Sequence, residues 1–155
     1  MKVALVANTS WYLYNFRYSL IKKLQECGHQ LYCFSPLDEF SCLINSEYSK
    51  HFIWHVDQAG TNIFTESKSI YDLYRLVKKC KVDFLLTYTP KGNLYGSIAC
   101  FLMRKPLIII NISGLGTLFN NQSYKIKIFK LLYKVLLRKS KKVFFQNSSD
   151  LDMII

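Results

Sequence analysis

The sequence predicts an α/β domain of three layers, in which a parallel sheet of about six or seven strands lies between two layers of helices. Three observations predict it. Strand and helix patterns alternate along all 155 residues, which is the order that builds βαβ units and a parallel sheet. The stretches Val82–Tyr88 and Leu107–Ile112 are apolar almost throughout, as strands covered on both faces are. Half of the residues are hydrophobic and 15% are aromatic, enough for one sizeable core and too apolar for a disordered chain. No internal repeat, low-complexity tract or linker divides it.

Each element follows from local signals. Lys2–Ala7 reads as the first, buried strand. Phe16 to Cys27 carries Phe16, Leu20, Ile21, Leu24 and Cys27 at helical spacing, and Gly28 stands where a helix-ending glycine is usual. Gln30–Ser35 is the second strand. Asp38 can cap a short helix to about Ser46, and Phe52–Val56 makes a third strand. "GTNIFTES" reads as a loop, after which Ser67 or Ser69 can cap the helix bearing Ile70, Leu73, Leu76 and Val77. Val82–Tyr88 is the fourth strand, and "TPKGN" turns into a helix from about Leu94 to Met103. Leu107–Ile112 is the fifth strand and "SGLGTLFNNQS" a long polar loop. A basic helix covers about Tyr124 to Lys139, Val143–Gln146 is a sixth strand, and "NSSD" offers a cap for a last helix.

The formal net charge of +11 points to a polyanionic or membrane-surface partner. The basic helix places Ile126, Phe129, Leu132, Tyr133 and Leu136 on one side and fans Lys127, Lys130, Lys134 and Arg138 around the other, an electrostatic dock for an anionic leaflet. No nucleic-acid recognition motif accompanies the charge, so nucleic acid is not expected as a partner. The five cysteines form no C-x-x-C pair and no zinc-like spacing with the three histidines. They read as buried or inert thiols in a reduced, cytoplasmic compartment, and no metal is expected. No apolar run reaches the roughly 18 residues that span a bilayer. His29, His51 and His55 sit at strand edges, and Asp57, Glu66 and Asp83 read as isolated carboxylates. No acid–base or nucleophilic constellation is complete, so no catalytic residue is assigned.

Chemistry concentrates elsewhere. Open parallel sheets bind ligands beyond the carboxyl ends of their strands, and four segments of unusual composition leave such ends: Asn8–Asn15, Gly60–Thr65, Thr87–Asn93 and Ser113–Asn121. The first, in "NTSWYLYNFR", lacks G-x-G-x-x-G, and no phosphate-cradling G-x-x-x-x-G-K-[ST] occurs in the chain. Instead these segments supply amides, hydroxyls, aromatic rings and cations. Asn8, Thr9, Ser10, Asn15, Thr61, Asn62, Thr89, Asn93, Ser113 and Thr117 can hydrogen-bond a hydroxyl-rich ligand, and Trp11 and Tyr12 can offer it apolar faces. Arg17 and Lys91 can meet phosphate, one by a bidentate fork and one as a point charge. Gly114 and Gly116 permit close backbone approach. That mixture suits a sugar or a sugar phosphate.

"VALVANTSWYLYNFRYSLIKKLQECGHQLYCFSP", "GTN", "DFLLTYTPKGNLYGSIAC", "NISGLGTLF" and "KVFFQNSSD", taken in order from Lys2 to about Asp152, resemble the N-terminal, Rossmann-like domain of GT-B glycosyltransferases. The likeness is nearest to the family-four enzymes that build bacterial capsule, O-antigen and other surface polysaccharides. The resemblance implies that the domain binds the acceptor, often a sugar on undecaprenyl diphosphate at the inner membrane face. It also implies that the segments beginning at Asn8 and near Ser113 face an interdomain cleft. Many members carry a histidine after the fifth strand that contacts the reacting sugar; this chain has Ser113 there. In the family a C-terminal domain with an E-x7-E pair grips the nucleotide-sugar; here that spacing occurs only at Glu39 and Glu47, between the second and third strands, which is not the place of that pair.

The expectation is therefore the acceptor-binding half of a hexosyltransferase, peripheral to the inner face of the plasma membrane and inactive alone. It has no cofactor, and its nucleotide-sugar donor needs the C-terminal domain. Two alternatives stand beside it. One is a non-catalytic subunit that pairs with a separately encoded donor-binding polypeptide. The other, suggested by charge alone, is a nucleic-acid-binding α/β domain.

Overall fold

A computed structural model describes residues 1–58, 62–103, 105–114 and 124–152, with the side chains of 124–130 outside that description. Thr61, Gly116 and Thr117, within residues 59–61 and 115–123, lie outside the described residues, as do the side chains of Lys127 and Lys130. The elements run β1 Lys2–Val6, α1 Ser10–Glu26, β2 Gln30–Ser35, α2 Ser41–Ile44, β3 Lys50–Ile53, α3 Ile63–Cys80, β4 Phe84–Thr87, α4 Pro90–Met103, β5 Leu107–Ile112, α5 Tyr124–Leu137, β6 Lys142–Phe145 and α6 Ser148–Asp152.

All six strands are parallel in the order β3-β2-β1-β4-β5-β6. This is the expected Rossmann-like sheet. Alternate residues along each strand face opposite ways and so feed two cores. Ala4, Val6, Phe34, Leu85, Ile110 and Ile112 point to the face covered by Leu73 and Val77 of α3, Leu94 and Tyr95 of α4, and Tyr133 and Leu137 of α5. Val3, Leu5, Leu31 and Cys33 point to the other, covered by Leu13 and Ile21 of α1 and Ile44 of α2. Burial of β1 from Val3 to Val6 follows from its place at the centre of the sheet.

Strands β2 and β5 have the expected bounds. Several helices do not, and each difference has a physical reason. α1 begins at Ser10, with Thr9 as N-cap accepting the Tyr12 N–H at 3.1 Å, so "SWYLYN" is helix rather than loop. Its buried positions are Ser10, Leu13 and Ile21, whereas Phe16, Leu20 and Cys27 are exposed. α3 begins at Ile63 under an Asn62 cap; the expected cap Ser69 is buried mid-helix, and its carbonyl accepts the Trp54 indole N–H at 2.9 Å. α4 begins at Pro90, a residue pre-set for the first helical turn. β3 runs earlier than expected, at Lys50–Ile53, and leaves Trp54 as a core plug just beyond its end. Of the cysteines, Cys33, Cys80 and Cys100 are buried, but Cys27 and Cys42 are exposed. Among the described residues no helix is long and apolar enough to cross a membrane.

Candidate functional site at the carboxyl edge of the sheet

The start of α1 explains how a first βα turn works without glycine. The Asp38 carboxylate sits at the helix N-terminus: Oδ2 accepts the backbone N–H of Ser10 at 2.7 Å and of Trp11 at 3.1 Å. Its other oxygen accepts the Phe40 N–H at 3.0 Å. A helix N-terminus attracts an anion through its unpaired N–H groups and dipole, and here the chain supplies that anion itself. Beneath it, the buried Ser10 hydroxyl meets Ser35 Oγ at 2.8 Å, Ser41 Oγ at 2.9 Å and the Pro36 carbonyl at 2.9 Å. Ser10 is thus committed to the fold. Asp38 caps α1 across space as well as shaping the turn into α2, a role its place in "SPLDEFS" does not announce.

The strand order reverses between β1 and β4, and such a switch point opens a crevice. Asn8 and Thr89 close its floor. The Asn8 N–H donates to Thr89 Oγ1 at 3.2 Å, and that hydroxyl donates to Asn8 Oδ1 at 2.8 Å. Thr89 holds a φ of 67°, a left-handed conformation that is costly for a β-branched residue and that recurs at functional sites. The Asn8 side-chain amide N–H groups keep no protein partner among the described residues.

Arg17 stands beside this floor, one helical turn beyond Leu13 on the inner stripe of α1. Its guanidinium carbon lies 4.5 Å from the Tyr88 ring centroid and 5.5 Å from that of Tyr12, and NH2 donates to the Tyr12 hydroxyl at 3.0 Å. Nε is buried without a hydrogen-bond partner, and no carboxylate pairs with Arg17 among the described residues. Burial pushes the Tyr88 hydroxyl up to about 12, the Arg17 charge opposing the rise. Tyr88 is therefore a neutral platform. A half-buried cation between two rings with no counter-charge is a ready receptor for an anion.

The remaining expected residues divide into three groups. Trp11 and Asn15 lie on the exposed side of α1, where Asn15 Nδ2 donates to the Trp11 carbonyl at 2.9 Å and the Trp11 ring meets Phe16 edge-on. Lys91 is already paired: Nζ meets Glu66 Oε1 at 2.7 Å with both side chains largely shielded, so Glu66 is not the isolated carboxylate expected. Lys91 thereby clasps the start of α4 to the first turn of α3. Asn93 is buried and donates to the Asn111 carbonyl at 3.0 Å and the Tyr133 hydroxyl at 2.9 Å, which pins α4 to β5 and α5. Ser113 and Gly114 are exposed at the end of β5, with Gly114 at a φ of 131°. On the β3 side of the same edge, Leu37, Trp54, His55 and Lys68 line a cavity of about 530 Å³. There Asp72 Oδ2 holds His55 Nδ1 at 3.0 Å. The sheet edge thus brings together Asn8, Tyr12, Arg17, Tyr88 and Thr89 as one cluster, with Asn62, Lys91, Ser113 and Gly114 around it.

A family model described as glycosyl transferase 4-like matches residues 2–147. The chain belongs to that family. It is 22% identical, over 99% of its own length, to the N,N'-diacetylbacillosaminyl-diphospho-undecaprenol alpha-1,3-N-acetylgalactosaminyltransferase of Campylobacter jejuni, of which it covers 42%. It is 35% identical over 75 residues to the UDP-Gal:alpha-D-GlcNAc-diphosphoundecaprenol alpha-1,3-galactosyltransferase of Escherichia coli, covering 48% of this chain and 18% of that one. Among solved structures, a glycosyltransferase from Rickettsia africae superposes with a TM-score of 0.70 at 17% identity, over 97% of this chain and 38% of that one. Family and fold bear out the likeness to the N-terminal domain of GT-B glycosyltransferases. The chain spans less than half the length of these relatives.

Proposed function

We propose that this chain is the acceptor-binding part of a hexosyltransferase that passes a sugar from a nucleotide-sugar to a saccharide carried on a polyprenyl diphosphate, in the synthesis of a cell-surface polysaccharide. The observation that carries the reading is Arg17, a half-buried guanidinium with no carboxylate partner among the described residues, set between Tyr12 and Tyr88 beside the switch-point crevice. Both named relatives act on undecaprenol-diphosphate-linked sugars, and a diphosphate is the anion such a fork suits.

In this reading Arg17 takes the acceptor's phosphate, Asn8 donates its side-chain amide to a sugar hydroxyl, and the rigid Asn8–Thr89 floor sets the distance between them. Transfer would pass through an oxocarbenium-like transition state, and the domain's share is to hold the acceptor hydroxyl in line with the donor carbon. The nucleotide-sugar is held by a second domain, in the same polypeptide or a separate one. The second arrangement makes this chain a binding subunit. The working location is the inner face of the cytoplasmic membrane, with the basic helix turned to the leaflet.

Titration calorimetry with a short-chain prenyl-diphosphate saccharide tests the site. Loss of a charge-assisted contact worth about 1.5–3 kcal/mol makes Arg17→Gln bind about 10- to 150-fold more weakly, while Trp11→Phe binds as the parent. Equal affinity for parent and Arg17→Gln removes the phosphate role.

A further inference from the structure

The sequence reading puts Leu132, Tyr133 and Leu136 of α5 on one side and the cations around the other; in the structure Tyr133 is buried and Leu136 packs against the core, while Leu132 is exposed. Tyr133 and Leu137 are buried, whereas Leu131, Leu132 and Val135 are 66%, 49% and 46% exposed. Residues three and four apart share a helix face. Leu131 and Val135 make one exposed stripe that leads to Arg138 in the turn after α5. Leu132 and the part-buried Leu136 make another, which leads to Lys139 in the same turn and to the end of α4. There Phe101 and Leu102 are 55% and 63% exposed, and Lys139 Nζ lies 4.0 Å from the Phe101 ring centroid. Between α4, α5 and the start of β5 opens a cavity of about 690 Å³, floored by Pro106, Leu107 and Ile108 and rimmed by Lys139 and Lys141.

Charge chooses the occupant of this surface. Between Asp83 and Asp150 the sequence holds eleven lysines and arginines and no aspartate or glutamate, so this stretch carries the whole net charge of +11. An apolar surface on elements whose charged side chains are so largely cations repels a second copy of itself and suits an apolar phase bounded by anions. Exposed Leu and Phe side chains beside Lys and Arg are the composition of surfaces that lie in the headgroup region of an acidic bilayer.

We propose that this flank is a membrane-insertion surface, in which Phe101, Leu102, Leu131 and Val135 enter the headgroup region of an anionic leaflet and Lys139 and Lys141 hold lipid phosphates at the mouth of the cavity. The inference deepens the membrane location given above and rests on that part of the reading, but it replaces a purely electrostatic dock by apolar insertion. The flank runs along α5 to the amino edge of the sheet. The domain therefore lies on its side, with the α5 axis near the membrane plane and the Asn8–Arg17 crevice opening along the bilayer rather than into it.

Flotation of the full chain with vesicles of phosphatidylethanolamine and phosphatidylglycerol tests this, with phosphatidylcholine vesicles as the uncharged control. The parent floats with the anionic vesicles and keeps part of its binding in high salt, where surface charge is screened. The pair Phe101→Ser and Leu102→Ser loses that salt-resistant part, by about tenfold or more. The pair Lys139→Glu and Lys141→Glu loses the low-salt part. Circular dichroism checks that both remain folded, as exposed sites allow. Leu102→Trp supplies a positive readout: its emission moves to the blue and is quenched by lipids brominated on the acyl chain. Flotation of the serine pair equal to the parent, an unquenched Trp at position 102 in the bound protein, or a concentration-dependent dimer that the serine pair abolishes would each overturn insertion. The vesicles contain no saccharide acceptor, so a failure here and a failure of acceptor binding at Arg17 are read separately.

Discussion

Replacing Asp38 by alanine should unfold the start of α1, although position 38 lies outside that helix. The parent carboxylate accepts the N–H groups of Ser10 at 2.7 Å and Trp11 at 3.1 Å. A hydrogen bond to a charged group contributes about 1.5–3 kcal/mol, and losing an N-terminal cap costs about 0.5–2 kcal/mol. Asp38 is only half-buried, so water recovers part of the loss and the expected cost of Asp38→Ala is about 2–3 kcal/mol. Asp38→Asn keeps an acceptor but gives up the charge at the helix dipole, which sets its cost at about 1 kcal/mol. Urea unfolding followed by circular dichroism measures both, and at a slope near 2 kcal/mol/M the alanine midpoint falls by about 1–1.5 M. The alanine variant also vacates an anion position, so added phosphate should stabilise it more than it stabilises the parent. A cost below about 0.5 kcal/mol with no phosphate response would refute the reasoning that Asp38 replaces the missing glycine cradle.

Two further perturbations probe the scaffold under the crevice. A Cβ at Gly96 would lie 2.6 Å from Thr87 Cγ2 and 3.2 Å from Leu85 Cδ2, so Gly96→Ala must push α4 off β4 and should lower the unfolding free energy by about 1–3 kcal/mol. Gly92→Ala meets its neighbours at 3.2 and 3.4 Å and should cost less; equal effects would show that helix propensity, not contact with the sheet, decides. His51 gives a pH signature. Burial lowers its affinity for a proton below the ordinary value of 6.5, against a hydrogen bond to Ser35 that pulls the other way. The unfolded chain therefore binds the proton first, so stability is full above about 6.5 and is lost as pH falls through the lower folded value. Denaturation midpoints across that window should decline in the parent and flatten in His51→Asn; an unchanged slope in the variant assigns the decline to other groups.

The sheet was more legible in the sequence than the site. Val82–Tyr88 and "LIIINI" are apolar without period, and a strand buried on both faces has no other reading once flanked by turns. The register of α1 was hidden because its inward stripe is not apolar: Ser10 and Arg17 share it with Leu13 and Ile21. The serine is paid for by three hydrogen bonds and the arginine by two aromatic faces, neither visible as hydrophobic periodicity. Asn93 misled in the opposite sense. Beside Gly92 it reads as a turn amide, but the glycine marks close packing on Val6, and the asparagine is a buried bolt to Tyr133. Lys91 was legible as a cation at the right edge; its neutralisation by Glu66 was not, because 25 residues separate them. Tyr88 was read only as the end of a strand, and its ring became part of the site through a guanidinium from another element.

The central claim is that this domain holds the acceptor and not the donor. Titrating the chain with a prenyl-diphosphate saccharide and, separately, with a UDP-sugar measures this most directly. The account predicts saturable binding of the first that weakens on Arg17→Gln, and no binding of the second. Saturable binding of the UDP-sugar, lost on Arg17→Gln, with none of the lipid-linked saccharide, would contradict it.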